Sequence, residues 1–434
     1  MRNSTPTTRP PARLVAVIAL AIVLGLGLAL LGSAQQPPTP AKIGTLLDYT
    51  GALAEFGPAH RNAIDLAIEG INAAARVVFG GPIIALVHED SATSPSVGVD
   101  RARKLVAIDR VVGVIGSLAS GVTVPVAEAV TVPARIPQIS PASTSPLLSV
   151  LPDQDFLFRT TSSDALQGVV AAQLAAGELV PGYRARTAAT IFVNNPYGQG
   201  LSEAFARAFE ARGGRVLAQV PHPGEVQPTY AALLERALAG KPDILVAVSY
   251  PGHATVFLAE SRDLFRFTKW QFVDGTKSEL LIRAIGARDL EGSLGTAPGS
   301  DPQWPGFQRF EQLYQQRFGA RPPLPFMDSA YDAAAIFGLA VAKAMHDGVP
   351  VTGRAVRDRL RVVANSPGVQ VGPGDFQRAL ELIRQGQDID YQGAAGPADF
   401  DANGDVLKAV EIWRYQGGTM QQVTLRRPGE IPAR

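Results

Sequence analysis

The chain contains no cysteine, which excludes disulfides, thiolate metal sites, a cysteine nucleophile and a lipid-modified cysteine at a processed N-terminus. Its five histidines (His60, His88, His222, His253 and His346) are scattered, and no pair has the spacing of a zinc-binding helix. An excess of charge of either sign is also missing. Lys+Arg number 40 against 39 Asp+Glu, with no basic tract suited to nucleic acid. No Walker sequence occurs, and the serines after Gly116 have the wrong spacing for a G-x-S-x-G elbow. Gly198-Gln199-Gly200 lacks the third glycine of a dinucleotide fingerprint. Ser, His and Asp residues exist, but nothing places them together, so no enzyme and no cofactor are expected. A hydrolase would need a nucleophile–base pair in a cleft, and no local pattern offers one.

What is present describes a large globular protein. At 434 residues, with 46% hydrophobic and 18% charged residues, the chain is long enough for two α/β domains. Arg2, Arg9 and Arg13 form a positive leader without acids, Leu14–Leu31 is an apolar run of 18 residues, and Gly32-Ser33-Ala34 offers small-residue cleavage. Residues 1–34 are therefore expected to be a signal peptide or, since the run is just long enough to span a bilayer, an N-terminal anchor. Residues 35–40 read as a Pro-rich linker. Either way, the folded part is expected in the periplasm or on the extracytoplasmic face.

From Ile43 onward, short apolar runs alternate with helical periodicity. Strands are predicted at Ile43–Leu47, Ile83–Val87, after Val111, at Pro137–Ser140 and at Phe156–Arg159. The rhythm restarts with helices over Ala165–Leu179, Glu203–Arg212, Tyr230–Ala239 and Thr255–Leu264. The strands between them are Ala188–Val193, Arg215–Val220, Ile244–Val248 and Gln271–Val273. Such alternation argues for an α/β protein with two doubly wound parallel sheets. Trp304–Phe318 and Ser329–Met345 read as long amphipathic helices, with shorter ones near Ala355–Val363 and Phe376–Gln385. Ala398–Phe400 and Val410–Tyr415 are expected to form a hairpin across Asn403-Gly404. Asp399 to Gly404 imitates the start of a calcium loop, but Val410 stands at its twelfth position where a bidentate Glu is required, so a turn is the reading.

The stretch from Val111 to Pro146 stands out. Twice a β-branched run stops in small hydroxyl residues, first at Ser117-Leu118-Ala119-Ser120 and then at Ser140-Pro141-Ala142-Ser143-Thr144-Ser145. Ser and Thr are commonly turn and N-cap residues. Two such loops at the carboxyl ends of neighbouring parallel strands nevertheless suit the ligand crevice of an open α/β sheet. The segment after Ser120 is predicted helical, so its free N–H groups favour an anion there. Tyr197 and Tyr250 sit at predicted strand ends in the second half, again where ligand is met. His253, just after Tyr250, is as easily a solvent-facing residue as a ligand contact.

The residues resemble the periplasmic branched-chain amino-acid (leucine/isoleucine/valine) binding proteins of ABC importers over nearly all of 41–434. The landmarks are Thr50-Gly51-Ala52-Leu53-Ala54-Glu55-Phe56-Gly57, Gly116 to Ser120, Ile139 to Pro146, Arg159-Thr160, Gln167-Gly168, Pro196 to Gly200 and Ala330-Tyr331-Asp332-Ala333. The resemblance implies a type I periplasmic binding fold of two lobes, 41–162 plus 298–393 and 163–297 plus 394–434, joined by three crossings. It implies that Ser120 and Thr144 hold a ligand carboxylate, and that the Ala142 carbonyl and Thr144 hydroxyl receive its ammonium. Phe56, Tyr197 and Tyr250 are implied ligand contacts. The family's second-lobe glutamate is expected near Thr276, where this chain offers Asp274, and the segment Ser366–Asp390 looks enlarged. The implied function is extracytoplasmic capture of an amino acid or small amide for a membrane permease. The alternative is an anchored sensor of the same fold.

Overall fold

The computed structural model describes Met1 and residues 37–432; the predicted signal or anchor segment lies outside the described residues. Five parallel strands form the first sheet: β1 (Ala41–Leu47), β2 (Ile84–Asp90), β3 (Gly113–Gly116), β4 (Gln138–Ser140) and β5 (Leu157–Arg159), in the order 2-1-3-4-5. Its helices include α1 (Phe56–Phe79), α2 (Pro95–Lys104) and the short α3 (Ser120–Val126). Gly116, which ends β3, has φ +126°, and a Cβ there would lie 2.2 Å from the Leu46 carbonyl oxygen, so the turn into the crevice requires glycine.

The chain then crosses into α4 (Asp164–Ala176) and a second sheet, with β6 (Thr187–Val193), α5 (Pro196–Ala211), β7 (Arg215–His222), α6 (Ala231–Leu238) and β8 (Ile244–Val248). There follow α7 (Pro251–Phe265), β9 (Trp270–Phe272), α8 (Glu279–Ile285) and β10 (Leu294–Gly299). The period-two geometry of a strand is visible in β8. Val246 and Val248 face the core shared with α4 and α5, while Leu245 and Ala247 face Ala254, Phe257 and Leu258 of α7. Burial on both faces is why the run Ile-Leu-Val-Ala-Val contains no polar residue.

A return crossing leads to α9 (Pro305–Phe318), α10 (Met327–His346), α11 (Gly353–Ala364) and α12 (Phe376–Arg384). Helix α10 is apolar almost all round and correspondingly buried. The enlarged segment folds as a small sheet of its own, β11 (Val369–Val371), β12 (Ile389–Gly393) and β13 (Gly396–Pro397), with α12 between the parallel pair β11 and β12. A third crossing returns to β14 (Ala409–Gln416) and β15 (Thr419–Arg426), which complete the second sheet in the order 15-14-10-9-8-6-7. Among the described residues no helix is long and apolar enough to cross a membrane.

Several expectations are corrected. The predicted hairpin across Asn403-Gly404 does not form. Asp401 instead accepts from the backbone N–H of Asn403 (2.8 Å) and Asp405 (3.0 Å), closing a local turn without strand pairing. The hairpin is β14–β15, joined at Gly417-Gly418; β14 runs antiparallel to β10 and β15 antiparallel to β14 at the edge, so the second sheet is mixed. Helices α5 and α7 begin earlier than predicted because Pro196 and Pro251 are helix-initiating residues, not loop residues. Asn195 caps α5 by accepting from the Gly198 N–H at 3.0 Å.

All three crossings are tied to the first turns of α10. The Thr160 hydroxyl donates to the Ser329 carbonyl at 2.8 Å, the Ser300 hydroxyl to the Asp328 carboxylate, and the Lys408 ammonium lies 3.6 Å from Asp332, both of the last pair buried. Asp332 also accepts from Tyr391 Oη and the N–H groups of Ala394 and Ala395.

Candidate functional site

Between the two sheets lies a small void of about 20 Å³ lined by Phe56, Ser120, Ala142, Tyr197, Tyr250 and Asp274. That is room for about one water molecule, so the lining must part to admit a ligand, whose sites usually span roughly 300–1,000 Å³. These are six of the seven residues expected from the sequence. Phe56, Ser120 and Ala142 come from the loops after β1, β3 and β4; Tyr197, Tyr250 and Asp274 come from the ends of β6, β8 and β9. The void thus sits where the carboxyl ends of both parallel sheets face each other.

The polar and aromatic side chains are held by one another and by neighbours outside the void. Tyr197 stacks on Tyr250, with ring centroids 5.4 Å apart and planes 10° from parallel. Asn195 donates to Tyr250 Oη at 3.1 Å. Tyr197 Oη donates to Asp274 Oδ1 at 2.9 Å, and Gln167 Nε2 donates to the same oxygen at 2.8 Å. Gly275 must be bare, because a Cβ there would lie 2.4 Å from the Ser249 carbonyl oxygen and 2.8 Å from Tyr197 Oη. The Ser120 hydroxyl accepts from the Ser145 N–H at 3.2 Å, which leaves its proton free for another partner.

Thr144 is not at the void. Its hydroxyl donates to Asp164 Oδ2 at 2.9 Å and its carbonyl accepts from the Asp164 N–H at 2.7 Å. Most of the hydroxyl cluster likewise bonds internally: Ser140 to the Ser117 carbonyl (2.6 Å), and Thr123 to Ser143 (2.8 Å). Arg159 braces the loop from behind, donating to the Ser145 carbonyl at 2.9 Å and forking onto Asp405 at 2.7 and 2.8 Å.

The electrostatics are those of a sealed acidic pair. Burial raises the Asp274 carboxyl above its usual range, opposed by the hydrogen bonds from Gln167 and Tyr197. Asp164 is raised well above its usual value, first by burial and then by the charge of Asp274, while Thr144 and Arg159 pull the other way. Asp48, at the end of β1, is pushed up to about 6 by burial despite the 2.8 Å hydrogen bond from Ser91. One oxygen of Asp164 and one of Asp48 have no hydrogen-bond partner. Such an arrangement favours a cation, which would return the carboxyls to their charged form.

Sequence reasoning missed Leu53, Leu118 and Phe326, which supply the apolar wall. The first two lie within the landmark segments and carried a signal; Phe326 follows a proline-rich run and adopts φ +66°, for which no pattern prepares. His253 does not face solvent: it is buried in the first turn of α7, its Nδ1 2.8 Å from Tyr230 Oη, and burial pushes it down to about 3. It lies behind Tyr250, outside the void. Among the described residues no group of three or more His, Asp or Glu is placed to hold a metal ion.

Residues 40–389 match the profile of a family described as periplasmic binding protein. A chemotactic signal transduction system substrate-binding protein, BasB of Halobacterium salinarum, is 30% identical over 378 residues, 84% of each chain. Leu/Ile/Val-binding protein homolog 3 of Brucella melitensis is 27% identical, over 74% of this chain and 88% of its own. In architecture the chain is similar to LivJ of Streptococcus pneumoniae, a branched-chain amino acid transporter substrate-binding protein solved with isoleucine. The TM-score is 0.72 at 21% identity, covering 90% of this chain and all of the other.

Proposed function

The chain belongs to the periplasmic binding protein family, and on that footing we propose that it captures an amino acid of branched-chain type, or a related small amide, and delivers it to the membrane permease of an ABC importer. The observation that carries this reading is the void between the sheets, with a free hydroxyl proton at Ser120, a buried carboxyl at Asp274 and an apolar wall of Phe56, Leu118 and Phe326. An aliphatic zwitterion suits that lining, its carboxylate toward Ser120 and its ammonium toward Asp274. The Brucella relative's name and the isoleucine in the Streptococcus structure support the same ligand class.

Capture is by hinge closure. Lobe one, residues 41–162 with 298–393, carries the first sheet; lobe two, 163–297 with 394–434, carries the second. A ligand touching Ser120 and Asp274 at once binds the closed form better than the open one and shifts the population toward it. No covalent step is involved. Residues 1–34 direct export.

A sensor of the same fold is the second reading, favoured by the chemotactic relative. Genes for a permease and ATPases beside this one would support the importer; retention of Leu14–Leu31 as an anchor, with no such genes, would support the sensor. The capture itself is tested by thermal shift with the twenty amino acids and simple amides. A ligand at about 100 times its Kd should stabilise the protein by about 2.7 kcal/mol. If no compound in the panel raises the melting temperature, the amino-acid reading fails.

A further inference from the structure

We infer that Glu55 is a latch for the closed state, setting ligand affinity without touching ligand. The inference rests on the two-lobe reading above. Glu55 lies on the turn before α1, between the void-lining residues Leu53 and Phe56, yet its own side chain points away from the void. Its carboxylate crosses to the other sheet's side and caps the start of α8. Ser278 Oγ donates to Oε2, and the Leu280 N–H donates to Oε1 at 3.2 Å. Arg283 adds a charge 3.7 Å from the same oxygen.

The receiving end is rigid. Ser278 is fully buried, and its carbonyl accepts from Tyr415 Oη at 3.2 Å, which also donates to the Thr276 carbonyl at 2.9 Å. The latch therefore joins two void-lining turns, Leu53–Phe56 and Asp274-Gly275, through residues that stand just outside each. Two neutral contacts bridge the same gap: the Gly252 N–H to the Ala52 carbonyl at 3.2 Å and the Ser145 hydroxyl to the Pro196 carbonyl at 2.8 Å. Glu55 adds a charge-assisted bond to a helix N-terminus, the strongest kind of the three. When the lobes part, water replaces Glu55 at Ser278 and Leu280, so its bonding favours only the closed form.

A residue that acts on closure alone changes every ligand's affinity by the same factor. Glu55→Gln keeps the shape and removes the charge. It should weaken L-leucine and L-valine equally, by about 10- to 100-fold, almost entirely through faster dissociation. Ser278→Ala should do the same, and the double variant should lose little more than either single one. The ligand-free melting temperature of Glu55→Gln should match the parent, whereas Ser278→Ala also removes the helix's own cap, a 3.0 Å bond accepted from the Leu280 N–H, and should melt somewhat lower. Unchanged dissociation rates, unequal factors for the two ligands, or a fall in the ligand-free stability of Glu55→Gln that matches its loss of affinity would each overturn the latch. If neither amino acid binds, the ligand reading fails and the latch is still decided. The absence of cysteine allows spin labels to be placed cleanly at S96C in lobe one and E225C in lobe two, both exposed, at a cleft that Ser94, Pro95 and Glu225 line. The ligand-free distance distribution should then shift toward longer distances in Glu55→Gln, and identical distributions would refute it.

Discussion

Asp274→Asn isolates the charge at the proposed ammonium end. The asparagine oxygen can still accept from Tyr197 Oη and Gln167 Nε2, now at 2.9 and 2.8 Å, so the turn should hold its place. What changes is the atom facing the void: an N–H₂ donor replaces an anionic oxygen and meets an ammonium donor head on. Truncating one partner of an enclosed charge pair costs about 2–5 kcal/mol, or roughly 30- to several-thousand-fold in affinity. The neighbouring Asp164 draws the expectation toward the lower end. With Asp274 neutral, its carboxyl ionises more readily, because the charge that opposed it is gone. Calorimetry with leucine and its des-amino analogue, 4-methylpentanoate, reads the term directly. The parent should prefer leucine strongly, Asp274→Asn should lose most of that preference, and the double variant with Asp164→Asn should lose the rest. Equal preference in parent and Asp274→Asn would remove Asp274 as the ammonium's partner.

Two further outcomes are expected. Ser120→Ala deletes the hydroxyl whose proton is free at the void and should weaken a carboxylate ligand by about 1.5–3 kcal/mol with no loss of fold; unchanged affinity by calorimetry would place the carboxylate elsewhere. Asp48 has its ordinary value of 3.8 pushed up to about 6, so the folded form holds its proton longer than the unfolded chain does. Its contribution to stability is therefore greatest below about pH 4 and falls away as pH rises to 6, by about 3 kcal/mol. Asp48→Asn should remove that slope: the variant gains on the parent in urea unfolding at pH 7 relative to pH 4, and an identical difference at both pH values would count against it.

Most of the fold was legible because parallel strands buried on both faces must be continuous apolar runs, as Ile244–Val248 is. The strands that escaped notice have other reasons to exist. β10 reads Leu-Gly-Thr-Ala-Pro-Gly and is a strand because β9 and β14 flank it; β15 is a polar edge strand held by the Gly417-Gly418 turn. At the site, a position in a loop could be inferred but not the direction of a hydroxyl. Ser120 and Thr144 looked equivalent in sequence, and only Ser120 reaches the void, because Asp164 takes the other's proton.

The fastening of all three crossings to one end of α10 separates two kinds of evolutionary freedom. Phe326, a wall of the void, and Met327, the first residue of that helix, are joined by a single peptide bond. On one side of that bond, exchanging a side chain changes which molecule fits. On the other, Asp328, Ser329 and Asp332 each hold a different crossing, so a change at any of them disturbs the frame that every ligand shares. Descendants of this sequence can thus retune their diet at Phe326 while inheriting the joint unaltered.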